Sequence, residues 1–188
     1  MSTGVGLAER RLNPERFDHP VLAHVHDYWK AKCANRAMPS RREILPNELR
    51  DYLGWIVLLD VLPGLDDFRY RLVGTLVSRY FYFDSTGKTI REAFAAYPKA
   101  TIDSVIAVHR SSARDNAVLH LIGRNNWMGQ GYEDFESLYL PLSDDGLLCN
   151  VILNVFVFDR AKVLLNRASA KANNRPQAQI PPNAMGLS

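Results

Sequence analysis

The chain has 188 residues, 47% of them apolar and 23% charged, which is enough for one ordinary globular core with tails. Its net charge of +3 arises largely at the two ends, from Arg10, Arg11 and Arg16 and from Lys162, Arg167, Lys171 and Arg175, and no basic run is interleaved with aromatics, which argues against a nucleic-acid partner. Cys33 and Cys149 stand in no disulfide or zinc spacing, and no stretch has the apolar length of a signal peptide or a membrane span, so the expectation is a soluble, cytoplasmic protein without membrane insertion.

Residues 1–17 are polar and contain glycine, and they read as a flexible arm. Asp18 can cap a helix and Pro20 is tolerated in its first turn; Val21, Leu22, Val25, Tyr28, Trp29 and Lys32 then follow helical spacing, predicting an amphipathic N-terminal helix within 18–38. Pro39 restarts the chain, and 40–54 reads as short helical turns broken at Pro46 and closed by Gly54. The run 55–62, nearly all apolar, has the pattern of a strand buried on both faces. A short loop leads to 68–73, where Phe68, Tyr70 and Leu72 alternate with Arg69 and Arg71 as in a half-buried strand.

Gly74 ends that strand and an irregular helical passage follows. Ile102, Val105, Ile106, His109 and Ala113 recur at three- and four-residue steps, marking 99–114 as the longest helix. Three strands come next, at 116–122, 135–142 and 147–158, the last two joined by an Asp-Gly turn at Asp145-Gly146. Both alternate sets of the last strand are apolar, so its sheet face away from the long helix must be covered by the N-terminal helix or another subunit. From about Asn166 periodicity vanishes, and 161–188 reads as a mostly disordered tail.

Several of these elements carry a recognisable pattern: Tyr28-Trp29, Pro39 with Arg41, Leu58-Leu59-Asp60-Val61, the octet from Phe68 to Thr75, Asp84 with Thr86-Gly87-Lys88, and Pro141-Leu142 with Asp144-Asp145-Gly146. Over about residues 28–158 this resembles the family of bacterial stand-alone PAS sensory proteins. The resemblance implies a PAS-like domain at 39–160, an α+β fold with a five-stranded antiparallel sheet and helices on one face, plus the N-terminal helix. It also implies a non-catalytic signalling module, dimeric, responding to a small ligand or to its own assembly state. Nothing after the last strand looks like an output domain, so a separate signalling protein is the expected partner.

A ligand would lie between sheet and long helix, and the candidate lining is Tyr70 and Leu72, Ile102, Val105, Ile106 and His109, and Tyr139 and Asn154. The same residues would equally fill a core without a cavity. His109 is the sharper candidate, because the PAS resemblance implies that a haem-binding member would take its axial histidine from this helix; haem is therefore a possible cofactor. Flavin photochemistry is disfavoured, since neither cysteine sits in the reactive motif of the light-sensing branch. The N-terminal helix, through Val25, Tyr28 and Trp29, is expected to cap the sheet or meet a second copy.

Enzyme chemistry finds less support. The pairs Asp66-Asp67 and Asp144-Asp145 fall in turns, where Asp bonds its own backbone. His24 and His26 lie two residues apart on a helix and cannot share a metal, and no metal site is expected. One enzymatic alternative is an NTF2-like cone with a histidine–carboxylate pair drawn from His109 or His120 and Asp103 or Glu136. Two strands ahead of the long helix argue against it.

Overall fold

The computed structural model describes residues 6–81, 84–125 and 133–158. It contains β1 (Gly6–Leu12), α1 (Pro20–Cys33), β2 (Ile56–Val61), β3 (Phe68–Val73), α2 (Thr75–Phe81), α3 (Ile90–Ala93), α4 (Lys99–Asp115), β4 (Leu119–Asn125), β5 (Glu133–Leu142) and β6 (Val151–Phe158). All strand pairings are antiparallel, in one sheet of order β1-β4-β5-β6-β2-β3. The chain leaves the sheet at one edge, β3, and re-enters at β4 on the far side. The crossover lays α2, α3 and α4 over one face, called inner here.

One feature of the sheet departs from expectation. The segment expected to be a flexible arm supplies a sixth strand, since β1 pairs with β4 from Gly6↔Arg124 to Leu12↔Leu119. Its polar sequence gave no strand signal, because an edge strand draws its stability from backbone pairing as much as from buried side chains. The N-terminal helix covers the other face, one of the two covers expected for it: α1 crosses the outer face over β5 and β6, with Leu22, Val25, Trp29 and Cys33 buried beneath it. The indole Nε1 of Trp29 donates to the Pro141 carbonyl at 2.9 Å, fixing the helix to β5.

The N-cap of α1 is His19, one residue later than the expected Asp18; its Nδ1 accepts from the Val21 amide at 3.2 Å. The Asp18 amide instead donates to Glu136 on the outer face. At the β3 edge, residues 87–89 run alongside the strand, with Gly87 N–H donating to the Tyr70 carbonyl and Tyr70 N–H to that of Lys88. Gly87 has φ 85°, which favours glycine. Thr89 and Glu92 then form a reciprocal capping box for α3. The edge is thereby partly covered.

The β5–β6 connection is longer than a two-residue hairpin. The Asp145 carboxylate accepts from the amides of Leu147 and Leu148 and from Ser143 Oγ, and these bonds hold its pKa below the usual carboxylate range. The tail at 159–188 lies outside the described residues, as do residues 126–132 of the β4–β5 loop.

Candidate functional site

Between the inner sheet face and α4 lies a cavity of about 90 Å³. Helix α4 contributes Val105, Val108 and His109, three positions that the 3.6-residue repeat brings to one stripe. The sheet contributes Val57, Tyr70 and Val73 from β2 and β3, and Leu121, Phe135 and Tyr139 from β4 and β5. Val77, Phe81 and Phe94 close it from α2 and the end of α3, and Phe156 and Phe158 from β6. The walls are almost wholly apolar. The Phe81 ring stands edge-on to Phe158 at 5.4 Å, and Phe156 and Phe158 stack at 5.7 Å.

The polar groups of the lining are His109, only 3% exposed, and the hydroxyl-bearing Ser85, Ser104, Tyr70 and Tyr139. His109 Nδ1 lies 2.8 Å from the Val105 carbonyl one turn earlier, and a carbonyl can only accept, so the proton sits on Nδ1 and the lone pair on Nε2. Burial is the main influence on its basicity and lowers the pKa to about 4, against weaker raising effects of the Val105 bond and Asp67. The imidazole is therefore neutral at pH 7. The Tyr139 ring meets it edge-on at 5.0 Å and Phe68 at a tilt at 5.3 Å. Burial pushes the Tyr139 phenol up to about 12 and raises that of Tyr70 as well, so both keep their protons.

Of the eight residues singled out from sequence, Tyr70, Val105, His109 and Tyr139 line this cavity together. Ile106 is buried in the core and Ile102 packs against it, but neither reaches the cavity wall. Asn154 is fully buried, its Nδ2 donating to the Leu138 carbonyl at 2.9 Å. Leu72 lies on the opposite face. The β2–β3 register runs Leu58↔Leu72 and then Leu59↔Tyr70, leaving Arg71 as an extra residue. That bulge breaks the alternation, turns Leu72 outward and brings Val73 to the cavity in its place. Arg71 meanwhile binds Asp60 across the pair at 2.6 Å.

Sequence reasoning missed the aromatic wall of Phe81, Phe94, Phe135, Phe156 and Phe158. A signal existed for part of it, since Phe156 and Phe158 share the parity of Asn154 in the last strand. Phe81 and Phe94 belong to an irregular passage with no such period.

The proposed interface residues are engaged within the chain itself. Val25 and Trp29 face the outer sheet surface, and the Tyr28 hydroxyl donates to Glu48 at 2.6 Å and accepts from the Leu45 amide. They provide the capping that was one of the two expectations for this helix.

A histidine–carboxylate pair does form, His120 Nε2 to Glu136 Oε1 at 2.7 Å, with the residues 0% and 4% exposed. It lies on the outer face, sealed beneath Phe17, whose ring sits between His120 and His26. Neither partner lines the inner cavity. Asp103 binds Lys99 and faces Arg91 at the surface. Among the described residues, the cavity therefore holds no acid–base couple. Asp67, half of one turn pair, accepts from the Phe68 amide at 2.8 Å and faces Arg91 at 3.8 Å, tying α3 to β3.

The cavity does not fit a haem. His109 offers a neutral nitrogen, but about 90 Å³ is well below the ~300 Å³ at which enclosing sites for drug-sized ligands begin, and the Tyr139 and Phe68 rings already flank the imidazole. Neither cysteine lines it. Among the described residues no three metal-ligating side chains converge, and no helix is long and apolar enough to cross a membrane.

A family model described as a PAS domain matches residues 17–153. Among curated proteins no relative matches. Of solved structures, a light-oxygen-voltage domain studied with a flavin analogue is 13% identical, with a TM-score of 0.41, covering 69% of this chain and 94% of that one. An RNA-binding light-oxygen-voltage receptor is 14% identical, with a TM-score of 0.42, covering 69% of this chain and only 38% of the receptor. At these values neither likeness bears on ligand or chemistry.

Proposed function

Since the chain belongs to the PAS-domain family, we propose that it is a sensory signalling module that reads a small, largely apolar molecule in the inner cavity and reports it to a separate signalling protein, as a dimer. The observation that carries this reading is the apolar cavity set against one neutral, backbone-oriented imidazole. A few fixed polar groups on an apolar wall give orientation, while apolar burial gives affinity. The lone pair on His109 Nε2 favours a ligand with one hydrogen-bond donor, and the small volume favours one aromatic ring or its equivalent. Signalling requires such a ligand to bind one packing of α4 on the sheet better than another and so shift their populations. Arg110 Nε, which donates to the Leu65 carbonyl at 2.9 Å, and the Asp67–Arg91 contact link α4 and α3 to the β2–β3 hairpin, where such a shift reaches the surface.

Phenol and toluene separate the two contributions, having similar shapes but only one donor. Thermal unfolding should show phenol raising Tm more than toluene, with the difference abolished in His109→Leu and both effects abolished in Val108→Trp, which fills the cavity. No shift with either compound, or shifts unchanged in Val108→Trp, would refute ligand reading at this site. Light scattering on the same samples reports the dimer directly; a monomer at all concentrations removes that part of the reading.

A further inference from the structure

The inner cavity has a polar end and an aromatic end. Tyr70 stands on β3, and the segment beside that strand brings Ser85 alongside it, through Gly87 N–H to the Tyr70 carbonyl at 2.7 Å and Lys88 N–H to the Ser85 carbonyl at 2.9 Å. His109 reaches the same end from α4. Its ring lies 5.3 Å from that of Phe68, two residues before Tyr70 on the strand, and the Asp67 carboxylate acts to raise the pKa of both His109 and Tyr70. At the other end the Phe81 ring stands edge-on to Phe156 at 6.0 Å and to Phe158 at 5.4 Å, and the Phe135 ring meets Phe156 at 6.3 Å.

The hydroxyls of Tyr70 and Ser85 have no hydrogen-bond partner among the described residues, yet neither is occluded. The side-chain polar atoms that are both buried and unpartnered belong to other residues, Ser137 and Asn154 of the sheet among them. Tyr70 and Ser85 both line the cavity, so they offer it donors beside the acceptor His109 Nε2. No lining residue carries a charge, and the charge felt by both His109 and Tyr70 is a carboxylate. An anionic head would enter without a cation and against Asp67, at a large desolvation cost.

We propose that the inner cavity selects a neutral monocyclic phenol, its ring among Phe81, Phe156 and Phe158 and its hydroxyl donating to His109 Nε2 while accepting from Tyr70. Aromatic walls favour an aromatic ring in edge-on or offset contact. A single hydroxyl oxygen fills both hydrogen-bonding roles, whereas a ring N–H donates only and leaves Tyr70 unanswered. Tyr70 is thereby the residue that selects O–H over N–H. The proposal rests on the sensory reading of this cavity and adds to it the chemical class of the ligand.

The test is calorimetric titration of the full chain with phenol, pyrrole, toluene and benzoate. Phenol should bind most tightly of the four, and benzoate should not bind. Tyr70→Phe should weaken phenol about fivefold and leave pyrrole unchanged, while His109→Leu should weaken both. If Tyr70→Phe does not fold, the native chain still decides through its ratio of phenol to pyrrole affinity. Equal affinity for phenol and pyrrole, benzoate binding as tightly as phenol, or an equal effect of Tyr70→Phe on phenol and pyrrole would each overturn the phenol assignment and leave the sensory reading standing. No binding by phenol, pyrrole or toluene would overturn both.

Discussion

At the scale of single residues, His109 couples the inner cavity to pH. In the folded chain its pKa is about 4, because burial disfavours the imidazolium, whereas an unfolded histidine titrates near 6.5. Between these values the unfolded chain binds a proton that the folded chain does not, so stability rises with pH across that window. The contribution is fully present above pH 6.5, is lost as pH falls toward 4, and changes no further below it. The difference corresponds to on the order of 3 kcal/mol. Urea unfolding at pH 7 and pH 4.5 should show this loss in the native sequence and a shallower one in His109→Leu. Equal losses would mean that His109 already carries its proton in the folded state. Cys33 and Cys149, whose thiols burial pushes up to about 11, have the character of small core residues and not of nucleophiles.

At the scale of elements, Gly74 decides how β3 turns into α2. A Cβ there would lie 2.4 Å from the backbone oxygens of both Leu53 and Gly54, and backbone cannot step aside as a side-chain tip can. The glycine thus serves close packing between α2 and the helical turn at Leu53–Trp55. Gly74→Ala should cost about 2 kcal/mol, read as a lower urea midpoint with an unchanged slope. Gly87→Ala provides the contrast: nothing lies within 4 Å of its Cβ, and only the positive φ opposes it, so the loss should be about 1 kcal/mol. If the two variants lose the same stability, the close approach at Gly74 is not what demands glycine.

At the scale of the whole molecule, the sheet is bounded on one side by β1 and on the other by the strand-like segment 87–89. Without β1 the β4 edge presents open backbone groups, a template for another chain. Deleting residues 1–12 should leave the folded core, since α1 and its contacts remain, but should produce concentration-dependent association beyond that of the full chain, measured by light scattering. Unchanged association would mean that another part of the molecule shields this edge. The outer face is divided in the same manner: α1 covers β5 and β6, while the segment 41–55 stands over β2 and β3 and leaves a second cavity beneath it.

Much of this was legible in the amino-acid order, for local physical reasons. The 3.6-residue stripe of α4 placed Val105 and His109 on one face, and the continuous apolar run of β2 and both apolar parities of β6 announced a sheet covered on both sides. Alternation in β3 gives the face of Tyr70, and the resemblance to PAS domains gives the pocket for which Tyr139 is a candidate. What tertiary structure decided lay wherever a backbone partner outweighed the side-chain pattern. Leu72 left the cavity because a single extra residue at Arg71 reversed its parity, and no periodicity within β3 signals a register set by pairing with β2. Polar residues 6–12 became a strand because β4 offered them an edge. The choice between a filled core and a cavity was equally beyond the sequence, since it depends on how side chains from β2 to β6 and α2 to α4 meet across the layers, and pattern records only which way each one faces.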